Sequence, residues 1–229
     1  MVSDTADPGE LMTVSVNATT QVAGRWLTPT TARACYVLAH GAGAGMEHPF
    51  MRAAASELAA LGIATLRYQF PYMQRGSRRP DPAPLCHATV RAAVAAARLR
   101  APGVALFAGG RSFGGRMSSQ AQSLEPLPGV RWLAFLGFPL HPAGRPAVAR
   151  AEHLHRIAVP MLFVQGTRDA LAECALLEEV VAQLMPRPQI QWVPEADHAF
   201  HVPARSGQKD PAVRRALLGA LAAWLVGRA

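Results

Sequence analysis

Two hydrophobic patterns alternate along the chain. Short unbroken apolar runs are followed by longer stretches whose apolar positions recur at helical spacing. The run 35-CYVLAH-40 predicts a buried strand ending at Gly41, and 50-FMRAAASELAALG-62 a helix closed by Gly62. Next come a strand over 63-IATLRYQF-70, a loop over 71–84, a helix over 85–100 and a strand over 104-VALFAG-109. A helix follows from Phe113 to about Leu124. Strands are then predicted over 131-RWLAFLGFPL-140 and 159-VPMLFVQG-166, a helix over 172–185, and a strand over 189-QIQWVPEAD-197. The last helix begins at Asp210, read as its N-cap, with Pro211 as the first helical residue. Before all of these, 11-LMTVSVNATTQVAGRWL-27 has period-two apolar positions and a Gly-containing middle, the pattern of an N-terminal hairpin.

Strands that are apolar throughout, separated by helices, predict an α/β fold. Its sheet is mostly parallel and covered on both faces. The short repeat leaves room for one domain over residues 1–229. Right-handed crossovers put the strand C-termini on one edge, where ligands bind in such sheets.

Composition narrows the function classes. Half the residues are apolar and 17% are charged, a balance that suits a packed core and not a disordered chain. The apolar runs are too short and too interrupted to cross a bilayer, and MVSDTADPGE has no apolar signal core, so the expected location is cytoplasmic. Cys35, Cys86 and Cys174 are far apart and form no metal-like pair, which fits free thiols in a reducing compartment. No metal or other cofactor is expected. The net charge of +8 rests on arginines scattered along the chain, with Lys209 the only lysine. Without an aromatic-interleaved basic patch this predicts no nucleic-acid partner; the densest cluster, 75-RGSRRPD-81, reads as a surface loop.

The candidate chemistry sits in 104-VALFAGGRSFGGRMSS-119. Gly110-Arg111-Ser112-Phe113-Gly114 matches G-x-S-x-G, a weak pattern alone but one placed here between a strand and a helix. The glycines permit a turn sharp enough to lift the Ser112 hydroxyl above the sheet. A nucleophilic serine needs a base, and the base needs an orienting acid. His198, in the loop before the last helix, is the candidate base, with His201 its competitor. Asp169, after the strand 159–166, is the candidate acid. Asp197 adjoins His198 and points elsewhere, and Glu173 is a weaker alternative. The backbone amides of Ala42, in 40-HGAGAG-45, and Phe113 are the candidate oxyanion donors. Among possible substrate contacts, Glu47 and His48 follow the oxyanion loop and either touch substrate or cap the next helix. Arg67 and Arg111 either bind an acidic substrate group or form buried ion pairs.

In this order, an HG loop, a GxSxG turn, a late Asp and a final His, the chain resembles the α/β-hydrolase superfamily. HGAGAGMEHPFM, RYQFPYMQRGSRRPD, GGRSFGGRMSS, FLGFPLHPAGRP, QGTRD and DHAFHVP resemble a dienelactone-hydrolase-related branch. That branch includes testis-expressed hydrolase-like proteins and the hydrolase-like domain of a chromatin-complex subunit. The resemblance implies an α/β-hydrolase fold with about 7–8 strands, a triad of Ser112, Asp169 and His198, and no settled substrate. Dienelactone hydrolases carry a cysteine where Ser112 stands, so their substrate class is not carried over. Only residues 141–158 separate two predicted strands where lidded hydrolases carry an insertion, so no cap domain is expected. The resulting expectation is a serine esterase acting on a small ester-like molecule. The alternative is a binding or scaffold module that retains the fold.

Overall fold

A computed structural model describes residues 9–229. Eight strands form one sheet in the order β1-β2-β4-β3-β5-β6-β7-β8. The N-terminal hairpin, β1 (Glu10–Ser15) and β2 (Gln21–Leu27), is antiparallel, and β2 runs antiparallel to β4 (Ile63–Tyr68). From β4 through β3 (Ala34–Ala39), β5 (Ala105–Arg111), β6 (Val130–Leu136), β7 (Met161–Gly166) and β8 (Gln189–Val193), every pairing is parallel.

Alternation along the central strands divides the core in two. Cys35, Val37 and Ala39 of β3 face the layer of α3 (Ala83–Arg100), α4 (Phe113–Leu124) and α5 (Cys174–Ala182), as do Leu133 and Phe135 of β6. Ala34, Tyr36 and Leu38, with Ala134 and Leu136, face α1 (Pro49–Ala60) and α6 (Asp210–Val226). Both faces are therefore apolar, which is why these strands read as continuous runs rather than alternating ones. No helix among the described residues is long and apolar enough to cross a membrane.

The structure departs from the sequence expectations in a few places. Residues 71–84 are not all loop: Pro71–Gln74 is a short helix, α2, and α3 starts at Ala83. The connection 141–158 holds a 3-10 helix, Ala149–Arg156, pinned to the core through Ala151 and Leu154. Asp210 is not an N-cap. It is the first residue of α6, and its carboxylate instead accepts from Val202 N–H and pairs with His201 Nδ1 at 2.8 Å. A tertiary partner has taken the carboxylate that local propensity assigned to the helix end.

Candidate active site

The site lies where β3, β5, β7 and β8 end. At the end of β5, Gly109 and Gly110 have φ of 152° and 145°, and Ser112 follows at φ 47°. Positive φ in a serine costs on the order of 1–3 kcal/mol. It is imposed by the glycines on either side: a Cβ at Gly110 would overlap the Ala39 carbonyl of β3, and one at Gly114 would meet Ala39 and His40 at 2.6 Å. The strained turn aims the Ser112 side chain out of the sheet, and α4 begins at the next residue.

Ser112 Oγ lies 2.8 Å from His198 Nε2, and His198 Nδ1 lies 2.7 Å from Asp169 Oδ2. The three sequence candidates thus meet in one hydrogen-bonded chain, although 86 residues separate Ser112 from His198. Asp169 is 5% exposed, and its carboxylate is saturated. Oδ1 accepts from Leu171 N–H at 2.8 Å, and Oδ2 accepts from Gln165 Nε2 at 2.6 Å as well as facing the imidazole. Gln165 is fully buried, and its Oε1 accepts from Phe138 N–H at 2.8 Å. It thereby fixes the acid relative to the chain leaving β6. The sequence reading missed Gln165; a polar residue ending an otherwise apolar strand was its one signal. His201 is turned to Asp210, and Asp197 caps its own loop by accepting from Ala199 and His201 N–H. Glu173 sits at the N-cap of α5.

The oxyanion candidates are placed consistently with that role. Ala42 and Ser112 line the same two cavities, and Phe113 N–H is among the orphan donors of α4's first turn. Behind Ala42, His40 is fully buried: Nε2 accepts from Phe70 N–H at 3.1 Å, so Nδ1 carries the proton donated to Gly41 O at 2.8 Å. The ring ties the HG turn to the chain leaving β4. It also stacks edge-on against Phe70, whose ring in turn meets Phe113 edge-on at 5.4 Å.

The four candidate substrate contacts separate into two pairs. His48 and Arg111 line the cavity that holds His198. His48 Nδ1 also accepts from Phe50 N–H and so caps α1. Arg111 donates to the His198 carbonyl at 2.9 Å and lies over the Phe50 and Phe200 rings. Glu47 and Arg67 line neither of the two cavities that contain Ser112. Glu47 pairs with Arg25 at 3.0 Å. Arg67 is fully buried, donates to Met46 O at 2.9 Å and lies 3.7 Å from Glu47. For Arg67 the substrate role is therefore corrected: its guanidinium holds the segment after the oxyanion loop from beneath, with no route to solvent.

A second serine–histidine pair, Ser119 and His153 at 2.7 Å, is buried between α4 and the 3-10 helix. Ser119 also donates to Arg116 O, so the pair fastens two elements together away from the sheet edge. The cysteines stand outside the site, and burial pushes the Cys35 thiol up to about 12 and the Cys86 thiol up to about 11.

Burial lowers both His40 and His153 to about 4. For His153 the nearby Arg116 and Arg156 cations act in the same direction. A histidine held neutral in the fold protonates more readily once unfolded, so the fold loses stability as pH falls from about 6.5 toward 4. For His40 the loss approaches roughly 3 kcal/mol over that window. Urea unfolding at pH 7 and pH 5 is expected to show a lower midpoint at pH 5. His153→Gln, which keeps a side-chain nitrogen for Ser119, is expected to narrow the gap.

Comparison with known proteins places this architecture. Residues 32–225 match the family model described as "Alpha/beta hydrolase domain". A dienelactone hydrolase from Anabaena variabilis superposes with a TM-score of 0.76 at 20% identity, covering 96% of this chain and 97% of that one. A lidless α/β serine hydrolase from Xanthomonas campestris gives 0.73 at 21%, with 96% and 97% covered. The esterase domain of a Rhodothermus marinus protein gives 0.71 at 18%, with 94% and 96% covered. At these identities the likeness is one of fold.

Proposed function

We propose, since the chain belongs to the alpha/beta hydrolase domain family, that it is a serine hydrolase cleaving carboxylic esters through an acyl-enzyme. The observation that carries this reading is the continuous chain from Ser112 Oγ through the His198 ring to Asp169. Ser112 Oγ attacks the substrate carbonyl while His198 Nε2 takes its proton. Asp169 accepts the Nδ1–H, keeping the ring in the tautomer that leaves Nε2 free to act as base, and stabilises the imidazolium once formed. The oxyanion is held by the N–H groups of Ala42 and Phe113. His198 then protonates the leaving oxygen, the C–O bond breaks, and the acyl group remains on Ser112. Water, deprotonated by the same ring, releases the acid. The finer likeness to the dienelactone-hydrolase-related branch with testis-expressed members belongs to this proposal, as do the cytoplasmic location and a small ester as substrate.

Activity-based labelling tests the reading. A fluorophosphonate is expected to modify the wild-type protein and not the Ser112→Ala variant. Equal labelling of both, or none of a folded wild type that also leaves short esters intact, returns the protein to the scaffold alternative.

A further inference from the structure

Two cavities meet at Ser112, and their walls differ. The smaller, about 270 Å³, contains His198, His48 and Arg111. The larger, about 450 Å³, runs from Ser112 and Ala42 along α4 to the 3-10 helix and is lined by Arg116, Met117 and Arg150. His198 borders the smaller cavity, not the larger. In acyl transfer the leaving group must receive its proton from His198 Nε2, so it departs through the smaller cavity and the acyl chain occupies the larger.

The larger cavity carries unbalanced positive charge. Among the described residues neither Arg116 nor Arg150 is paired with a carboxylate. Arg116 Nε is buried with no hydrogen-bond partner, and its guanidinium has only the Phe113 ring at 5.8 Å. Burial and the neighbouring Arg150 cation both act against the Arg116 charge and hold it below the ordinary guanidinium range. Asp81 also lines this cavity: its Oδ1 is bound to Arg75 at 2.5 Å, its Oδ2 is buried without a hydrogen-bond partner, and its single negative charge leaves the two arginines in excess. Two cations with no carboxylate partner, one of them, Arg116, held against burial, lie beside a nucleophile, and an anionic ligand removes that cost.

Resting on the serine-hydrolase reading, we infer that the larger cavity is an acyl site for a chain ending in a carboxylate, held by Arg116 and Arg150. The substrate class is a half-ester of a dicarboxylic acid. The planar guanidinium fork suits a carboxylate, and Met117 and Pro139 supply apolar wall for the methylenes between the two ends.

The test compares 4-nitrophenyl hydrogen adipate with 4-nitrophenyl heptanoate, esters of similar length that differ at the chain end. At low salt the wild type is expected to favour the charged ester by about tenfold or more in kcat/KM, the scale of one charge-assisted hydrogen bond. Added salt shrinks this ratio. Arg116→Gln and Arg150→Gln are each expected to lower it about tenfold, and Arg150→Glu, at a partly exposed position that tolerates the change, to bring it below one. Equilibrium binding of adipate half-ester to Ser112→Ala provides the same comparison without turnover. A wild type that takes the fluorophosphonate and cleaves the heptanoate ester, yet shows no preference or keeps it in all three arginine variants, overturns the acyl-site assignment and leaves the hydrolase reading standing. A protein that takes no label and cleaves neither ester removes both.

Discussion

Hydrolysis of 4-nitrophenyl esters is expected to fall by about 10⁵-fold or more in kcat when Ser112 is replaced by alanine, and by about 10³- to 10⁴-fold in Asp169→Asn, with the fold unchanged in each. The two losses have different origins. Ser112→Ala removes the atom that forms the acyl bond, leaving only whatever the oxyanion donors contribute to attack by water. Asp169→Asn keeps a side chain of the same shape but offers an amide where a carboxylate stood. The Asn side chain can still accept from Leu171 N–H, but the buried site then has both Gln165 Nε2 and His198 Nδ1 converging on one atom. If that atom is the amide nitrogen, His198 must accept through Nδ1 and carry its proton on Nε2, the wrong tautomer for a base. Burst kinetics with 4-nitrophenyl butyrate separates acylation from deacylation, and urea midpoints establish that folding is intact. A Ser112→Ala variant that retains more than about 1% of wild-type turnover would rule out the acyl-enzyme route.

Gly109→Ala is expected to have the largest effect on stability, about 4 kcal/mol or more, and to yield little soluble protein. At φ 152° the residue sits where an L side chain is strained, and a Cβ there would overlap the Ala134 carbonyl of β6. Strain and overlap add, and neither can be relieved by a rotamer change, because the obstacle is backbone in the middle of the sheet. Gly219→Ala is the matched control. Nothing lies within 4 Å of a Cβ placed there, within α6, so alanine is expected to add about 0.5–1 kcal/mol. Urea midpoints of the two variants against wild type make the comparison. A Gly109→Ala protein as stable as wild type would mean that β5 and β6 do not approach as closely as described.

Much of this fold is written locally. β3, β5, β6 and β7 are buried on both faces, so each leaves an apolar run in the sequence, and Gly62 marks the close of the first helix. The elbow was legible because a single local constraint, a turn too tight for side chains, selects the residues around Ser112. Asp169 and His198 could be placed because strand ends converge on one edge of a parallel sheet.

What the sequence reading missed is non-local. Gln165 is defined by its partners Phe138 and Asp169, and His40 by Phe70, thirty residues away. A polar residue in an apolar run signals a buried partner but not which one. Arg67 shows the same limit from the other side. Its position at a strand end on the active edge suggested substrate, whereas its burial beneath Met46 and Glu47 is a tertiary outcome. The cation pair of Arg116 and Arg150 was invisible for a similar reason: one is on α4, the other on a 3-10 helix read as loop.

The short connection after β6 bears on selectivity. With Ala151 and Leu154 buried in the core, the wall that carries Arg150 is pinned to the body of the domain, and among the described residues this connection adds no cap domain over the cavity. On the proposed hydrolase reading, discrimination is then expected to fall on the first few carbons from the reacting carbonyl and on whatever reaches that wall. A longer substrate would extend into water, so a large molecule bearing the right short terminus is expected to be cleaved on the same terms as a small one.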